Sequence, residues 1–279
     1  MAVITLLTDF GTRDPYMGIM KGVILGIDPA ARLVDLTHEV APGDAAGAGF
    51  ILSTAWRWFP EGTVHLAVVD PGVGSERKPM AALADGHYFI GPDNGLFTAI
   101  LDGAASVQTR ELADERYRLE PVSRTFHGRD IFAPAAAWLS RGIPWEDLGP
   151  ELTSPVRGDR LPQASGPVDG EVRGQVVMAD IFGNLITNIP GRFAAQLAPG
   201  GEPLALAWEG GGVVSRLVGT YAEAPPGTTV LLVGSSGYLE ISVNRGSAAE
   251  RTGVEGGDTV RLRRHGGGAP GNGEPEVRT

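Results

Sequence analysis

Acidic and histidine side chains follow three apolar, strand-like runs in the first half of the chain. Asp9 follows the run that begins at residue 3, His38 lies after a second run, and Asp70 directly follows the run at 64–69. A carboxylate at such a place loses solvation unless a partner or ligand compensates for it, and flanking Gly and Pro let the backbone approach a ligand closely. This combination suits a site for a polar small molecule. The alternative is that each Asp caps the next helix or turn, which is favoured for any one of them alone.

Two further residues in this half carry chemistry that complements Asp70. Arg77 follows it by seven positions, and His127 lies in a Thr-Phe-His-Gly-Arg-Asp stretch that opens a predicted helix. A histidine next to a helix N-terminus can polarise water when a carboxylate orients its ring. By spacing alone, His127 is more often a hydrogen-bonding residue at the helix entry than a catalyst, and His38 is interpreted as structural.

Two polar turns in the second half suit a ligand of a different kind. Phe182 offers a stacking face beside Asp180 and Asn184, whose amide is able to read the edge of a base. Ser235 and Ser236 lie between glycines, where hydroxyl and backbone N–H groups suit a carboxylate. The alternative for both segments is an ordinary hairpin turn, which a single sequence favours.

The elements that must position the first group alternate between strands and helices. Apolar runs predict strands at 3–7, 33–36, 64–69, 80–83 and 88–90, and helical spacing predicts helices at 16–27, 44–58 and 131–140. This alternation predicts an N-terminal α/β domain with a mainly parallel sheet. Ligands of such sheets bind beyond the carboxyl ends of the strands, where Asp9 and Asp70 fall.

The second half consists of short strand-like runs separated by Gly and Pro turns, without a strong helix. The runs lie at 174–179, 185–189, 204–208, 213–218, 229–233, 238–243 and 259–262. They predict a smaller C-terminal all-β, barrel-like domain. The predicted organisation is an α/β domain over residues 1–160, a linker over 161–170, a barrel-like domain over 171–265 and a disordered tail over 266–279.

The composition of the 279 residues excludes several classes of protein. The absence of Cys removes disulfides, zinc–thiolate sites, iron–sulfur clusters and thiol nucleophiles. A net charge of −10 argues against nucleic acid or an anionic membrane as a partner. The N-terminal apolar stretch lacks a basic lead, and the longest apolar runs are far shorter than the ~20 residues of a spanning helix. We therefore expect a cytoplasmic protein.

Seven motifs in series carry a resemblance to a known family. They are TDFGTRDPYMGIMKG, DLTHEVAPGD, FPEGTVHLAVVDPGVGSER, GPDNGLFT, TFHGRDIFAPAAA, FGNLITNI and GSSGYLEISVN, in order from Thr8 to about Asn244. In these motifs the sequence is similar to the S-adenosylmethionine (SAM) hydroxide adenosyltransferases, relatives of the SAM-dependent fluorinases and chlorinases. The resemblance implies hydrolysis of SAM at C5′ to adenosine and L-methionine, with SAM as the substrate and no cofactor or metal. It also implies an α/β domain joined to a small β-barrel, in a homotrimer with sites at the subunit interfaces.

The resemblance also implies roles for individual residues. Asp70, Arg77 and His127 match the residues that hold and activate the nucleophilic water, and Asp9 matches the carboxylate that binds the ribose diol. The other matches are to substrate-binding positions: Asp14 and Asp180 near the methionine amino group, Phe182 and Asn184 at the adenine, Ser235 and Ser236 at the methionine carboxylate, Val243 to Arg245 where backbone meets the adenine edge, and Glu240 as a weaker match. Gly128, next to His127, is a further predicted substrate-binding residue.

Two positions depart from the halogenating relatives. In fluorinases a tyrosine stands where this chain has Asp70, and a serine that helps to bind halide stands where it has Gly128. A carboxylate ~4 Å from a halide costs about 4 kcal/mol at an effective dielectric of ~20, roughly a thousandfold in affinity. Water carries no such penalty, so hydrolysis is favoured over the alternative of a chlorinase-like halogenation.

Two other functions stay open from the sequence. A metal-dependent hydrolase would use oxygen and nitrogen ligands, for which the candidates are Asp9, Asp35, His38, Asp70 and His127. A non-enzymatic sensor of SAM or adenosine would bind its ligand without turning it over. The sequence also does not decide whether His127 or Asp70 accepts the proton of the attacking water.

Overall fold

The apolar runs of the first half form strands, as predicted, and one further strand joins them. The computed structural model describes residues 2–158 and 164–265 of the chain. The strands within residues 2–158 are β1 (Val3–Thr8), β2 (Arg32–Thr37), β3 (Val64–Val68), β4 (Pro79–Ala84), β5 (His87–Pro92) and the unpredicted β6 (Val107–Glu111). They form one sheet in the order β2-β1-β3-β5-β4-β6. The neighbours among β2, β1, β3 and β5 are parallel, whereas β4 is antiparallel to both β5 and β6.

The central strands of this sheet are buried on both faces, which explains why they are apolar at nearly every position. In β1, Leu6 belongs to one hydrophobic cluster and Leu7 to another, because successive side chains point to opposite faces. In β3, Val68 and Ala67 divide between the same two clusters. Helices α1 (Tyr16–Ile27) and α4 (Ala133–Ser140) contribute to the first cluster, and α2 (Ala45–Ala55) and α3 (Thr98–Gly103) to the second.

Two helix boundaries differ from the sequence-based expectation. The Asp44 side chain accepts a hydrogen bond from the Gly47 N–H at 2.8 Å and so begins α2, which ends at Ala55 and is followed by a 3-10 turn through Trp58. The segment expected to form one helix from about residue 131 begins instead with a π-helical turn, Gly128–Phe132, before α4. The short helix α3 has no side-chain cap and was not predicted.

The chain divides into two units, residues 1–160 and 161–279, and the second is built on antiparallel strands. Within residues 164–265 these are β7 (Ser165–Val168), β8 (Glu171–Ala179), β9 (Leu185–Pro190), β10 (Leu204–Trp208), β11 (Val213–Val214), β12 (Thr229–Val233), β13 (Tyr238–Val243) and β14 (Thr259–Arg264). The sheet order is β11-β10-β14-β8-β9-β13-β12, with β7 paired to β8. A bridge between Leu217 and Leu231 links the segment after β11 to β12, so the sheet nearly closes into a barrel.

The predicted fold class, an α/β domain with a mainly parallel sheet followed by a barrel-like β domain, is confirmed. The second unit also contains two short helices that the sequence did not indicate, α5 (Gly191–Leu197) and α6 (Ala248–Thr252). Strand β11 is shorter than the predicted run at 213–218, and β7 lies within the segment expected to be a linker. Residues 161–163 of that linker and the predicted tail at 266–279 lie outside the described residues. The domain boundaries stay a prediction.

Membrane insertion was not expected from the sequence. None of the helices in residues 2–158 and 164–265 combines the length and the apolar character that crossing a bilayer requires.

A pair of buried histidines lies at the amino ends of β3 and β5. His65 Nδ1 is 2.8 Å from the Thr5 hydroxyl, its Nε2 is 3.2 Å from His87 Nδ1, and both side chains are buried. The two rings stack on each other, His65 also stacks on Phe89, and the edge of Trp56 contacts His87. Burial, together with the charge of His87, lowers the pKa of His65 to about 3, and burial also lowers the pKa of His87.

We expect the free energy of unfolding to fall as the pH drops below about 6.5, because the unfolded chain binds protons on these histidines before the folded chain does. For His65, with its folded-state pKa of about 3, the loss at pH 5 is about 2 kcal/mol, from ~1.5 pH units at ~1.36 kcal/mol each. Urea unfolding at pH 7 and at pH 5 measures this loss. His65→Leu should reduce the pH dependence, whereas His265→Ala, at an exposed position, should not. An unchanged dependence in His65→Leu would contradict the assignment.

Candidate active site

A single guanidinium joins three of the residues that the sequence singled out. Arg77 donates from Nε to Asp70 Oδ1 at 2.8 Å and from Nη2 to Asp70 Oδ2. The same Nη2 donates to His127 Nδ1 at 2.8 Å. Only 9% of the Arg77 side chain and 5% of the Asp70 side chain are exposed. The first unit therefore holds a carboxylate, a guanidinium and an imidazole in one partly buried cluster.

The hydrogen bond from Arg77 fixes the tautomer of His127. A guanidinium can only donate, so Nδ1 must be the acceptor, and the neutral ring carries its proton on Nε2. Burial lowers the pKa of His127, and the charge of Arg77 lowers it further, while Asp70 and Asp130 oppose the shift. The ring is therefore neutral at pH 7 and offers an N–H donor at Nε2.

Arg77 also keeps a donor that the cluster does not use. Its Nη1 is buried and has no hydrogen-bond acceptor among the residues that the structure describes. The ring centroid of Phe132 lies 5.2 Å from Cζ of the same guanidinium. Buried donors normally have a partner, so an unused N–H beside a carboxylate and an imidazole suits a small polar molecule such as water.

Backbone geometry holds the loop after β3 against the segment that precedes His127. The carbonyl of Asp70 accepts a hydrogen bond from the Val73 N–H at 3.2 Å, which folds the loop into a turn. Gly74 has a φ angle of 77°, and a Cβ atom there would lie 2.4 Å from the carbonyl oxygen of Arg124. Glycine is required for both reasons, and its close contact brings the Asp70 loop within reach of His127.

Asp9 and Asp14 follow β1 in the same unit. Oδ2 of Asp9 accepts a hydrogen bond from the Gly43 N–H at 2.8 Å, so this carboxylate ties two loops together. Asp14 is exposed. The Thr8 hydroxyl lies 3.0 Å from His38 Nδ1, and this contact gives the buried His38 the structural role that its sequence context suggested.

Gly128 begins the π-helical turn and packs against two side chains. A Cβ atom at this position would lie 3.1 Å from Met20 Sδ and 3.2 Å from Cε2 of Phe126. Phe126 also packs against Tyr16 and Phe10, whose ring centroids are 5.2 Å and 6.0 Å away. A serine here, the residue that the fluorinases have, would require these side chains to give way by a few tenths of an ångström.

In the second unit, Asp180 organises the turn that carries Phe182 and Asn184. Its Oδ1 accepts hydrogen bonds from the backbone N–H of Phe182 at 2.9 Å and of Asn184 at 2.8 Å, and its Oδ2 accepts from the Asn184 amide at 2.8 Å. Asn184 is buried, whereas Phe182 is 73% exposed. Asp180 therefore stabilises a turn, which is the alternative to ligand binding that the sequence left open for this segment. The turn leaves the Phe182 ring exposed to solvent.

The second polar turn carries Ser235, which is exposed, and Ser236, which is half-buried. A Cβ atom on Gly234 would lie 2.6 Å from Oε2 of Glu240, so the turn backbone directly contacts this buried carboxyl group. Glu240 accepts a hydrogen bond from the Tyr221 hydroxyl at 2.6 Å. Burial raises the pKa of Glu240, and burial together with Glu240 raises the pKa of Tyr221 to about 12.

Val243 and Arg245 lie at the end of β13 and just beyond it. Val243 is buried, while Arg245 is exposed and has a φ angle of 58°. Arg245 and its neighbour Asn244 line a surface cavity of about 680 Å³, together with Tyr221. The first unit therefore holds six of the predicted site residues and the second unit holds eight, and their roles in binding stay predictions.

The residues considered as metal ligands make other contacts instead. Asp70 pairs with Arg77, and Asp35 lies 2.6 Å from the Lys21 ammonium and 3.0 Å from His38 Nε2. Across residues 2–158 and 164–265, no group of three or more His, Asp or Glu side chains is placed to hold a metal ion. The ligand set of a metal-dependent hydrolase is therefore not assembled in the described part of the chain.

Two family models match the sequence. The N-terminal domain of the SAM hydroxide adenosyltransferases matches residues 4–149, and the C-terminal domain of the same family matches residues 174–261. The (R)-S-adenosyl-L-methionine hydrolase of Thermus thermophilus is 42% identical over 271 residues, which cover 94% of this chain and 100% of that protein. The chain belongs to the SAM hydroxide adenosyltransferase family.

The family predicted from the seven motifs is thus confirmed, and other relatives place the chain within it. The crystal structure of an uncharacterised conserved protein from Thermotoga maritima superposes with a TM-score of 0.87 at 34% identity, covering 94% of this chain and 100% of that one. A fluorinase of Actinoplanes is more distant, at 28% identity over 294 residues, covering 93% of this chain and 97% of that protein.

Two residues near the predicted site of this hydroxide adenosyltransferase were not predicted. Asp130 is 1% exposed and lies three positions after His127, within the same motif, where its type alone did not separate it from a helix-entry residue. Tyr221 reaches Glu240 across 19 positions of sequence. No periodicity or motif connects those two positions, so only the folded chain reveals the contact.

We expect Arg77→Gln to destabilise this family member by about 3–5 kcal/mol, because it leaves the buried Asp70 carboxylate without its cation. The pKa of His127 should rise at the same time, since the Arg77 charge lowers it. Urea unfolding and NMR titration of the histidine rings measure the two effects. As a control, Arg57→Gln removes a more exposed ion pair with Asp85 and should cost less than ~1 kcal/mol. Equal losses in both variants would contradict the structural role of the Asp70 pair.

Proposed function

We propose that this protein hydrolyses SAM at C5′ and releases adenosine and L-methionine. The observation that carries the proposal is the cluster in which Arg77 holds Asp70 and His127 by direct hydrogen bonds. The name of the Thermus thermophilus relative, (R)-S-adenosyl-L-methionine hydrolase, supports the same reaction at 42% identity.

The reaction needs a well-placed water more than it needs an acid. Sulfur leaves C5′ with the bonding electron pair and becomes a neutral thioether, so no proton has to reach the leaving group. The water oxygen forms the new bond on the opposite face of C5′ and gives up one proton. Holding that oxygen about 3–3.5 Å from C5′ contributes several kcal/mol through orientation alone.

The hydrogen bonds favour a division of roles that the sequence left open. Because His127 Nδ1 already accepts from Arg77, the ring holds the water as a donor from Nε2. Asp70 accepts the proton, which a carboxylate is able to do because the attacking oxygen becomes strongly acidic as its bond to carbon forms. Arg77 positions both groups through its hydrogen bonds to Asp70 and His127.

The same carboxylate disfavours halogenation. A halide ~4 Å from an unpaired carboxylate would be opposed by about 4 kcal/mol at an effective dielectric of ~20. Pairing with Arg77 reduces this repulsion, but the pair has no net charge with which to attract a halide out of water. Arg77 is already paired with Asp70 through two of its nitrogens, so its charge is largely balanced before any anion arrives. Water, which is neutral, enters without this cost.

The substrate-binding roles follow the family match and are part of the proposal. Asp9 binds the ribose diol, and the carboxylate that already accepts from the Gly43 N–H has a second oxygen for this purpose. Gly128 is also a proposed substrate contact, and it leaves no side chain beside Met20 and Phe126, where a Cβ atom would be crowded. The remaining proposed substrate contacts are Asp14, Asp180, Phe182, Asn184, Ser235, Ser236, Glu240, Val243 and Arg245.

The proposal includes a homotrimer with sites at subunit interfaces, without a cofactor or metal, and a cytoplasmic location. The exposed apolar side chains of α1 support self-association: Tyr16 is 47% exposed, Ile19 39% and Leu25 43%. Light scattering should give about three times the chain mass of 29.2 kDa. A monomeric mass at micromolar concentration would contradict the trimer.

The decisive test is product analysis after incubation with SAM, with and without EDTA and with and without excess chloride. Adenosine and methionine in equal amounts under every condition support hydrolysis by water. Loss of activity in EDTA would favour the metal-dependent alternative, and 5′-chloro-5′-deoxyadenosine would show that the carboxylate does not exclude halide. Tight binding of SAM without any product would identify a sensor.

We expect Asp70→Ala and His127→Ala to lower kcat by at least ~100-fold while changing the Kd for SAM much less, because both groups act on the water. Single-turnover kinetics and calorimetric titration separate the two quantities. Asp114→Ala is a suitable control, since Asp114 pairs with Arg116 at a partly exposed position. Wild-type turnover in both site variants would reject their assigned roles.

Asp9→Ala should instead weaken SAM binding by about 10- to 100-fold, the loss of a hydrogen bond to a charged group. The measurement compares SAM with its 2′-deoxy analogue in the wild type and in the variant. The variant should lose the preference for the native ribose. Equal affinity of the wild type for both compounds would contradict the ribose assignment.

A further inference from the structure

Asp130 is a buried carboxylate that the proposed mechanism does not use. Its side chain is 2% exposed, and both oxygens are engaged within the first unit. Oδ1 accepts from Arg129 Nε at 2.6 Å, and Oδ2 accepts from Arg129 Nη2 at 3.0 Å and from the Ser123 backbone N–H at 2.8 Å. A charge this deeply buried is retained only with such full compensation.

These contacts tie Asp130 to both ends of the segment that leads into His127. The carbonyl of Asp130 accepts from the Leu119 N–H at 2.8 Å, while its carboxylate holds the Ser123 N–H. Its own N–H donates to the carbonyl of Phe126 at 3.2 Å. One residue thus fixes the chain at positions 119, 123 and 126, directly before the histidine.

Arg129 extends this restraint to the neighbouring ring. Its guanidinium carbon lies 5.4 Å from the ring centroid of Phe126, and its nitrogens donate hydrogen bonds to the Asp130 carboxylate. Phe126 in turn packs edge-on against Tyr16 at 5.2 Å. The residue immediately before His127 is therefore held on its backbone and on its side chain.

We propose that Asp130 is a positioning residue, whose carboxylate fixes the segment before His127 and thereby aims the imidazole Nδ1 at Arg77. The hydrogen bond that it preserves is the 2.8 Å contact from Arg77 Nη2, which sets the tautomer of the ring. Its consequence for turnover rests on the proposed hydrolysis of SAM, whereas its consequence for the histidine ring does not.

The charge of Asp130 gives the proposal a second, electrostatic signature. Burial is the main cause of the lowered pKa of His127, and Arg77 and Arg118 lower it further. Asp70 and Asp130 act in the opposite direction. Removal of the Asp130 charge should therefore lower the pKa of His127, and the acidic limb of the activity profile should move to lower pH with it.

Two variants separate the effect of the hydrogen bond from the Ser123 N–H from the effect of the Asp130 charge. Asp130→Ala removes the carboxylate contact to the Ser123 N–H and should lower kcat by about 10- to 100-fold, as small misplacements of a catalytic group do, with the Kd for SAM changed less than ~3-fold. Asp130→Asn keeps an oxygen acceptor for that N–H but removes the charge. It should retain more of kcat than Asp130→Ala and shift the His127 titration to lower pH.

Asp28→Asn is the matched control, because Asp28 is also buried and accepts from a backbone N–H, that of Ala30 at 3.1 Å, and from the Ser140 hydroxyl at 2.7 Å. It should alter stability without moving the His127 titration or kcat. The titration is followed by NMR of the five histidines in the full chain, with the His127 signal assigned by its loss in His127→Gln.

The outcomes distinguish this proposal from the proposed function. A folded Asp130→Ala with wild-type kcat, or an Asp130→Asn with an unshifted His127 titration, would overturn the positioning role. The same shift in Asp28→Asn would also overturn it. If the wild type releases no adenosine from SAM, the hydrolysis proposal fails, while the histidine titration still decides the role of Asp130. Should Asp130→Ala not fold, the Asp130→Asn titration alone carries the test.

Discussion

The guanidinium of Arg77 is the interaction on which the rest of the candidate active site depends. It neutralises Asp70 through two nitrogens and uses one of them again to hold His127. A buried carboxylate without such a partner would either take up a proton or destabilise the fold by several kcal/mol. The arrangement pairs Asp70 with a cation, makes Nδ1 of His127 an acceptor and leaves Nη1 of Arg77 as a buried donor. Each of these states is needed if a water is to be held and then deprotonated.

The fold meets the geometric demands of this cluster with a few close backbone contacts. Parallel strands bring β1 and β3 to a common edge, and the loops that follow them carry Asp9 and Asp70. The approach of Gly74 to the carbonyl of Arg124 and the π-helical turn that begins at Gly128 then set the position of His127. Such turns are uncommon and are often found at functional sites. Here one directly follows the histidine.

The sequence predicted the elements with strong apolar patterns and missed those without them. Strands β1 and β3 are buried on both faces and read as continuous apolar runs, so both were predicted within a residue or two. Strand β6 has exposed Val107 and Gln108 and lies at the end of the sheet order, beside β4, so it gave no such signal. The helices α3, α5 and α6 are each shorter than eight residues and lack a clear apolar period.

The candidate site was likewise predicted only in part from the sequence. The motifs indicated the residue types at Asp70, Arg77 and His127, but the sequence left the proton acceptor undecided. That choice depends on which imidazole nitrogen Arg77 occupies, a fact set by three-dimensional distances rather than by spacing. Asp130 was not predicted for the same reason. Its partners at positions 119 and 123 are backbone N–H groups, which every residue type except proline provides, so the residue types there do not indicate the contacts.

The choice between water and halide depends on how the buried carboxyl groups of the chain are compensated. Asp130 and Asp70 are both compensated by arginine, whereas Glu240 is hydrogen-bonded by the Tyr221 hydroxyl and burial raises its pKa. A carboxyl that takes up a proton could neither repel an anion nor accept a proton from water. Asp70, which is paired with Arg77, is the carboxylate to which the proposed mechanism assigns the proton of the water, and the pair has no net charge with which to attract an anion. In the proposed mechanism, the ion pair that makes the site compatible with folding is therefore also the feature that favours a neutral nucleophile.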